Sequence, residues 1–155
     1  MTKSIHNICI EKNISVATAE SCTGGNIAHK ITLESGSSAY FFGGVVSYAN
    51  DVKVKVLNVA QSDLDAFGAV SEPVAKQMVQ GVIQAVNADF AVSTTGIAGP
   101  SGGSVEKPVG TVWIGVGNRD AQKASKYLFS GSRTEIIEKT TQQALLDLVK
   151  FIDES

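Results

Sequence analysis

Three apolar, β-favouring runs in this chain each end in a cluster of small or polar residues: "ISVATAESCTGG" (14–25), "AYFFGGVVSYANDVK" (39–53) and "ADFAVSTTGIAGP" (88–100). Runs of this length with such punctuation read as strands followed by turns. Between and around them the apolar residues recur at helical spacing. Ile5, Ile8 and Cys9 predict a short helix over 3–12. Ile27, Ala28 and Ile31 predict one from Asn26 to Leu33, stopped by Gly36-Ser37-Ser38. Val52, Val56 and Leu57 predict another, with Asn50-Asp51 as its cap and Asn58, tolerant of the left-handed conformation, as its end. A brief helix over 61–67 and a long one opened by Ser71-Glu72-Pro73 follow.

The strands read as 14–19, 39–48 (with a bulge or close approach at Gly43-Gly44), 88–96, 111–117 and 123–131, the last as an edge strand. Segment 97–110 is a glycine-rich loop. Ile136, Ile137, Ala144, Leu148 and Ile152 mark a C-terminal helix. The expected fold is α/β, a three-layer α/β/α sandwich with a mainly parallel central sheet, in one domain spanning 1–155.

The bulk properties narrow the function classes. A chain of 155 residues with 43% apolar and 18% charged residues can build its own core. Net charge is −2 and the basic residues are scattered, so no nucleic-acid footprint is expected. The apolar runs fall short of the ~20 residues that cross a bilayer. The N-terminus lacks the apolar stretch of a secretory signal, and a cytoplasmic setting is expected. Cys9 and Cys22 form no disulfide framework or zinc spacing, and His6 and His29 read as surface or helix-face residues. No metal site is expected.

In an open α/β sheet, ligands bind outside the carboxyl ends of the strands. The three polar segments converge on one edge if their strands are parallel. Ser21 and Thr23 lie at a helix N-terminus with the amides of Gly24 and Gly25 beyond, a place suited to a phosphate or an oxyanion; the plain alternative is that one hydroxyl caps the helix. Tyr48 and Lys53 straddle the next strand-to-helix turn, and without context they are a half-buried tyrosine and a solvated lysine. As a base, Lys53 would need its pKa lowered from about 10.4 toward 7–8, which requires a desolvated pocket and therefore a poorly exposed side chain. Ser104-Val-Glu-Lys107 matches an S-x-x-K motif, but Pro108 biases Lys107 away from helical geometry. Arg133 can pair with a phosphate or merely decorate the surface.

Together, "TAESCTGG", "GSSAYFFGGVVSYANDVKVKVL", "GAVSEPVAKQM", "ADFAVSTTGIAGP" and "GGSVEKPVGTVWIGV" resemble the C-terminal domain of the competence-damage-inducible CinA family, in the same order from about residue 14 to Arg133. The chain departs from the family pattern at Gly131-Ser132-Arg133, where Gly-Asp-Arg is common, and at Leu57-Asn58-Val59, where Leu-Gly-Val is usual. The resemblance implies a nicotinamide-nucleotide amidohydrolase, standing alone, that converts nicotinamide mononucleotide to nicotinate mononucleotide and ammonia in pyridine-nucleotide recycling. It implies Ser21 as nucleophile, activated by Lys53 with assistance from Tyr48. It further implies substrate contacts from Thr23, Gly24, Gly25, Gly44, Asn50, Thr95, Gly96, Gly99, Gly102, Gly103 and Arg133.

No cofactor is implied. The expected partners are a pyridine mononucleotide and, by analogy, further copies of the chain, a dimer above all. Two alternatives stand beside this reading: a non-catalytic nucleotide-binding or interaction module of a competence or DNA-damage response, and amidase chemistry on another amide.

Overall fold

A computed structural model describes residues 4–155. Its elements in chain order are α1 (Ile5–Lys12), β1 (Val16–Glu20), α2 (Asn26–Thr32), a 3-10 turn (Ser37–Ala39), β2 (Phe41–Val46), α3 (Asn50–Leu57), α4 (Gln61–Phe67), α5 (Glu72–Val86), β3 (Phe90–Gly96), β4 (Thr111–Asn118), β5 (Gln122–Leu128) and α6 (Arg133–Asp153). The five strands form one sheet in the order β2-β1-β3-β4-β5. β1 pairs parallel with β2 and with β3, whereas β4 runs antiparallel to both β3 and β5. The three-residue turn between β4 and β5 admits only an antiparallel pair, because parallel neighbours need a crossover of a dozen residues or more. The longer segment 97–110 holds no helix to carry the chain back across the sheet between β3 and β4. Four of the five strands therefore point the same way.

Every residue of β1 is buried, as a central strand covered on both faces requires. Alternation along β1 sends Val16 into a core with α1, α2 and α6, and Ala17 and Ala19 into a second core with α3, α4 and α5. The anticipated irregularity in β2 is a register skip, in which Val16 pairs with Phe41 but Ala17 with Gly43. At Gly44 any Cβ would overlap the Thr18 hydroxyl, so only glycine fits.

The ends of the helices follow local chemistry. α6 opens with a capping box in which the Ser132 hydroxyl and the Glu135 side chain each bond the other's backbone amide. Asn13, Asn58 and Asn87 close α1, α3 and α5 in the left-handed region at φ 53°, 57° and 57°. Asn58 thus makes the left-handed turn expected of it at the end of α3. One cap differs from expectation. The residue preceding α3 is Ala49, which offers no side-chain bond, and Asn50 is already the first helical residue. The predicted helix over 3–12 is seen from Ile5; its first residue lies outside the described residues.

Candidate active site

Because β1, β2 and β3 are parallel, the segments that follow them emerge on one edge of the sheet. Ser21 leaves the end of β1, where its amide donates to the Thr94 carbonyl of β3 at 3.0 Å. The chain beyond β2 turns back into α3, whose first turn carries Lys53 down onto that edge. The Lys53 Nζ lies 3.0 Å from Ser21 Oγ, 2.7 Å from the Ser47 carbonyl and 3.3 Å from the Tyr48 carbonyl. Lys53 is 1% exposed and Ser21 9%.

Burial lowers the Lys53 pKa from its ordinary value, and the Cys22 thiol acts the other way. Burial also pushes that thiol up to about 12, so Cys22 is uncharged near neutral pH and its opposition lapses. The position of Lys53 in the first turn of α3, at the positive end of the helix dipole, further disfavours an ammonium. Among the described residues, no acidic side chain bonds or pairs with Nζ. Its partners are neutral oxygens, which accept N–H donors from either protonation state.

The turn after β1 holds a residue that the sequence reading missed. Glu20 ends β1 at 1% exposure, and its carboxylate accepts from the amides of Ile27 and Ala28 at 2.8 and 3.0 Å and from the Thr23 hydroxyl at 2.6 Å. It fills the N-terminus of α2 from within the protein. Neither Ser21 nor Thr23 caps the helix: the residue before α2 is Gly25, at φ 102°. The cradle expected for an external anion at α2 is occupied by this carboxylate. The available signal was an acid inside an otherwise uncharged strand run, directly before a glycine turn.

The other expected contacts divide. The Thr23 hydroxyl faces inward, 2.8 Å from that of Thr94. The Gly24 amide is spent on the Ser21 carbonyl at 3.1 Å. Gly24 itself, at φ 61°, has open space where a side chain would stand, and Gly25 borders Val46. Gly44 packs on Thr18, which shares a face with Glu20 and α2 and not the face that leads to Lys53. Asn50 is exposed on α3. The Thr95 hydroxyl donates to the Ala69 carbonyl at 2.8 Å, and Gly96 packs tightly on Val112.

In the glycine-rich loop, Gly103 packs on the Val109 amide and Gly102 near Ile97. Gly99 precedes a cis proline and turns its carbonyl to Arg133. Arg133, the first residue of α6, donates from Nη1 to that carbonyl at 2.6 Å and from Nη2 to the Tyr48 hydroxyl at 2.9 Å. Tyr48 therefore touches Lys53 through its backbone, while its exposed phenol belongs to Arg133. Ser104 and Lys107 sit in the loop, as Pro108 predicted, and Lys107 donates to the Phe67 carbonyl. Cys9 and Cys22 are free and buried. Among the described residues there is no cluster of groups suited to a metal, and no helix is long and apolar enough to cross a membrane.

Comparison with known proteins gives the arrangement a lineage. A CinA-like protein of Chlorobium limicola is 44% identical, with 99% of this chain and 37% of that protein covered. One from Sulfurihydrogenibium is 47% identical, with 94% and 36% covered. The chain thus spans about a third of the length of these relatives. Among solved structures, the competence/damage-inducible protein CihA of Agrobacterium tumefaciens superposes with a TM-score of 0.91 at 40% identity, covering 96% of this chain and 91% of that one. A CinA superfamily protein of Klebsiella pneumoniae superposes with a TM-score of 0.93 at 30% identity, covering 97% and 94%. The family model described as the CinA C-terminal domain matches residues 1–152, and on that match the chain belongs to the CinA C-terminal domain family, of the competence-damage-inducible type.

Proposed function

We propose that the chain is a serine amidohydrolase that hydrolyses the carboxamide of nicotinamide mononucleotide to the carboxylate and ammonia. The observation that carries this reading is the Ser21–Lys53 contact, a hydroxyl 3.0 Å from an amine that is almost wholly withdrawn from water. A neutral Lys53 has two N–H groups and one lone pair. The carbonyls of Ser47 and Tyr48 accept the two N–H groups, and the lone pair then faces the Ser21 hydroxyl. That amine takes the Ser21 proton as Oγ attacks the carboxamide carbon.

The tetrahedral oxyanion forms beside the turn after Ser21. There the amides of Cys22 and Thr23 are the nearest donors in sequence, and a well-placed donor contributes about 2.7–4 kcal/mol. The Lys53 ammonium returns its proton to the departing nitrogen, releasing ammonia and leaving an acyl ester on Ser21. Water, deprotonated by the regenerated amine, then cleaves the ester to give the acid and free Ser21. Lys53 handles the proton in each step. Tyr48 contributes a carbonyl that orients Lys53 and a phenol that positions Arg133. The guanidinium, at the mouth of the crevice beside Gly99, is the phosphate-recognising group. The choice of a pyridine mononucleotide rests on the family resemblance and on this arginine.

The test is ammonia release from nicotinamide mononucleotide, free nicotinamide and glutamine, side by side. Turnover of the mononucleotide is expected, falling by roughly 10³-fold or more in Ser21→Ala. Undiminished turnover in folded Ser21→Ala excludes the mechanism. Calorimetric binding of the mononucleotide without ammonia release would favour a non-catalytic binding module instead.

A further inference from the structure

A second concavity lies on the α5 face of the sheet, away from Ser21. Its volume is about 380 Å³, within the span of small-ligand sites at roughly 300–1,000 Å³. Its floor comes from two strands, because Trp113 of β4 and Lys126 of β5 are direct cross-strand partners and their side chains stand on the same face. Phe67, Val70 and Pro73 provide an apolar wall, and Glu106 and Lys107 of the glycine-rich loop close another side. In strand order β3 lies between β1 and β4, and on β3 the Thr95 hydroxyl holds the Ala69 carbonyl at 2.8 Å. The segment around Ala69 therefore separates this pocket from the Ser21–Lys53 crevice.

Two properties define what fits. The first is aromatic surface left uncovered: Trp113 is only half-buried, and Phe67 is 54% exposed at the end of α4. An indole on the floor of a cleft offers its face to a planar ring. The second is charge. Glu72 is neutralised by Lys76 at 2.7 Å, so the remaining lining groups, Lys107 and Lys126 against Glu106, leave one positive charge in surplus. Lys107 is anchored to the Phe67 carbonyl, whereas the Lys126 ammonium stands exposed beside the indole.

We infer that this pocket is a second binding site, for a planar heteroaromatic anion of mononucleotide size. The ring stacks on Trp113 and the anionic group pairs with Lys126. The inference does not depend on the amidase reading, since it uses neither Ser21 nor Lys53.

Trp113 is the single tryptophan of the chain, so its emission reports this pocket alone. The intact protein is titrated with adenosine monophosphate, with nicotinate mononucleotide and with adenosine, and equilibrium dialysis is run in parallel. Saturable quenching by at least one of the two nucleotides is expected, with adenosine binding more weakly. The more tightly bound nucleotide tells whether the site prefers a purine or a pyridine. Lys126→Glu, on an exposed edge-strand position and checked for folding by circular dichroism, is expected to weaken nucleotide binding about tenfold or more. Ser21→Ala is expected to leave the quenching unchanged. Flat emission together with no retention in dialysis at millimolar nucleotide overturns the inference. Equal binding by Lys126→Glu, or quenching lost in Ser21→Ala, overturns it as well.

Discussion

Lys53 places a heavy local demand on this molecule. A side chain that is charged in water occupies a site 1% exposed, held by two carbonyls and a hydroxyl. Its folded-state pKa lies below the value near 10.4 of the unfolded chain. Between those two values the unfolded chain holds the proton and the folded one does not, so stability rises with pH through that window. Below the window the burial cost is present in full. Lys53→Met keeps the volume and removes the titration. We expect it to abolish ammonia release, to match or exceed the parent in stability at neutral pH, and to flatten the rise toward alkaline pH; urea denaturation across a pH series measures this. That Ser21 and Lys53 share an edge was legible because both follow parallel strands, whereas their pairing was expected from the family resemblance. The role of Glu20 was not, because a strand pattern does not reveal which helix a buried carboxylate will face.

At the scale of elements, the position of Lys53 depends on how closely α3 approaches α5. Gly81 in the middle of α5 touches the Leu57 carbonyl at the end of α3, with no room for a methyl group. Alanine improves helix propensity by about 1 kcal/mol. Forcing a side chain into a packed contact costs about 1–3 kcal/mol, so the loss is expected to win. Gly81→Ala should therefore lower the denaturation midpoint and, by shifting α3, reduce turnover more than it raises KM. Unchanged stability would show that α3 has slack. The helices and strands themselves were readable from periodicity and turn chemistry. The contact between α3 and α5 was not, since Gly81 reads in sequence only as a weak point in a helix. At Gly44, by contrast, the close approach read from the sequence is present, with the Thr18 hydroxyl beneath it.

For the whole molecule, strand order decides where chemistry can gather. Three parallel carboxyl ends on one edge bring residues 21, 48, 53 and 99 together, while the last helix returns to deliver Arg133 across the same opening. The α/β class and the shared edge followed from the three punctuated runs. The partners of Arg133 did not, because they are a backbone carbonyl and a phenol from segments 34 and 85 residues away. That clasp has a bearing on affinity. In the proposed reading an arriving phosphate does not meet an idle guanidinium: a phenol and a peptide oxygen already hold two of its five N–H donors, so at those two recognition is an exchange of partners and not a simple addition. Removing one competitor should tighten the exchange. In a Ser21→Ala background, Tyr48→Phe is expected to bind nicotinamide mononucleotide a few-fold more strongly by calorimetry, and weaker binding would mean that the phenol itself greets the ligand.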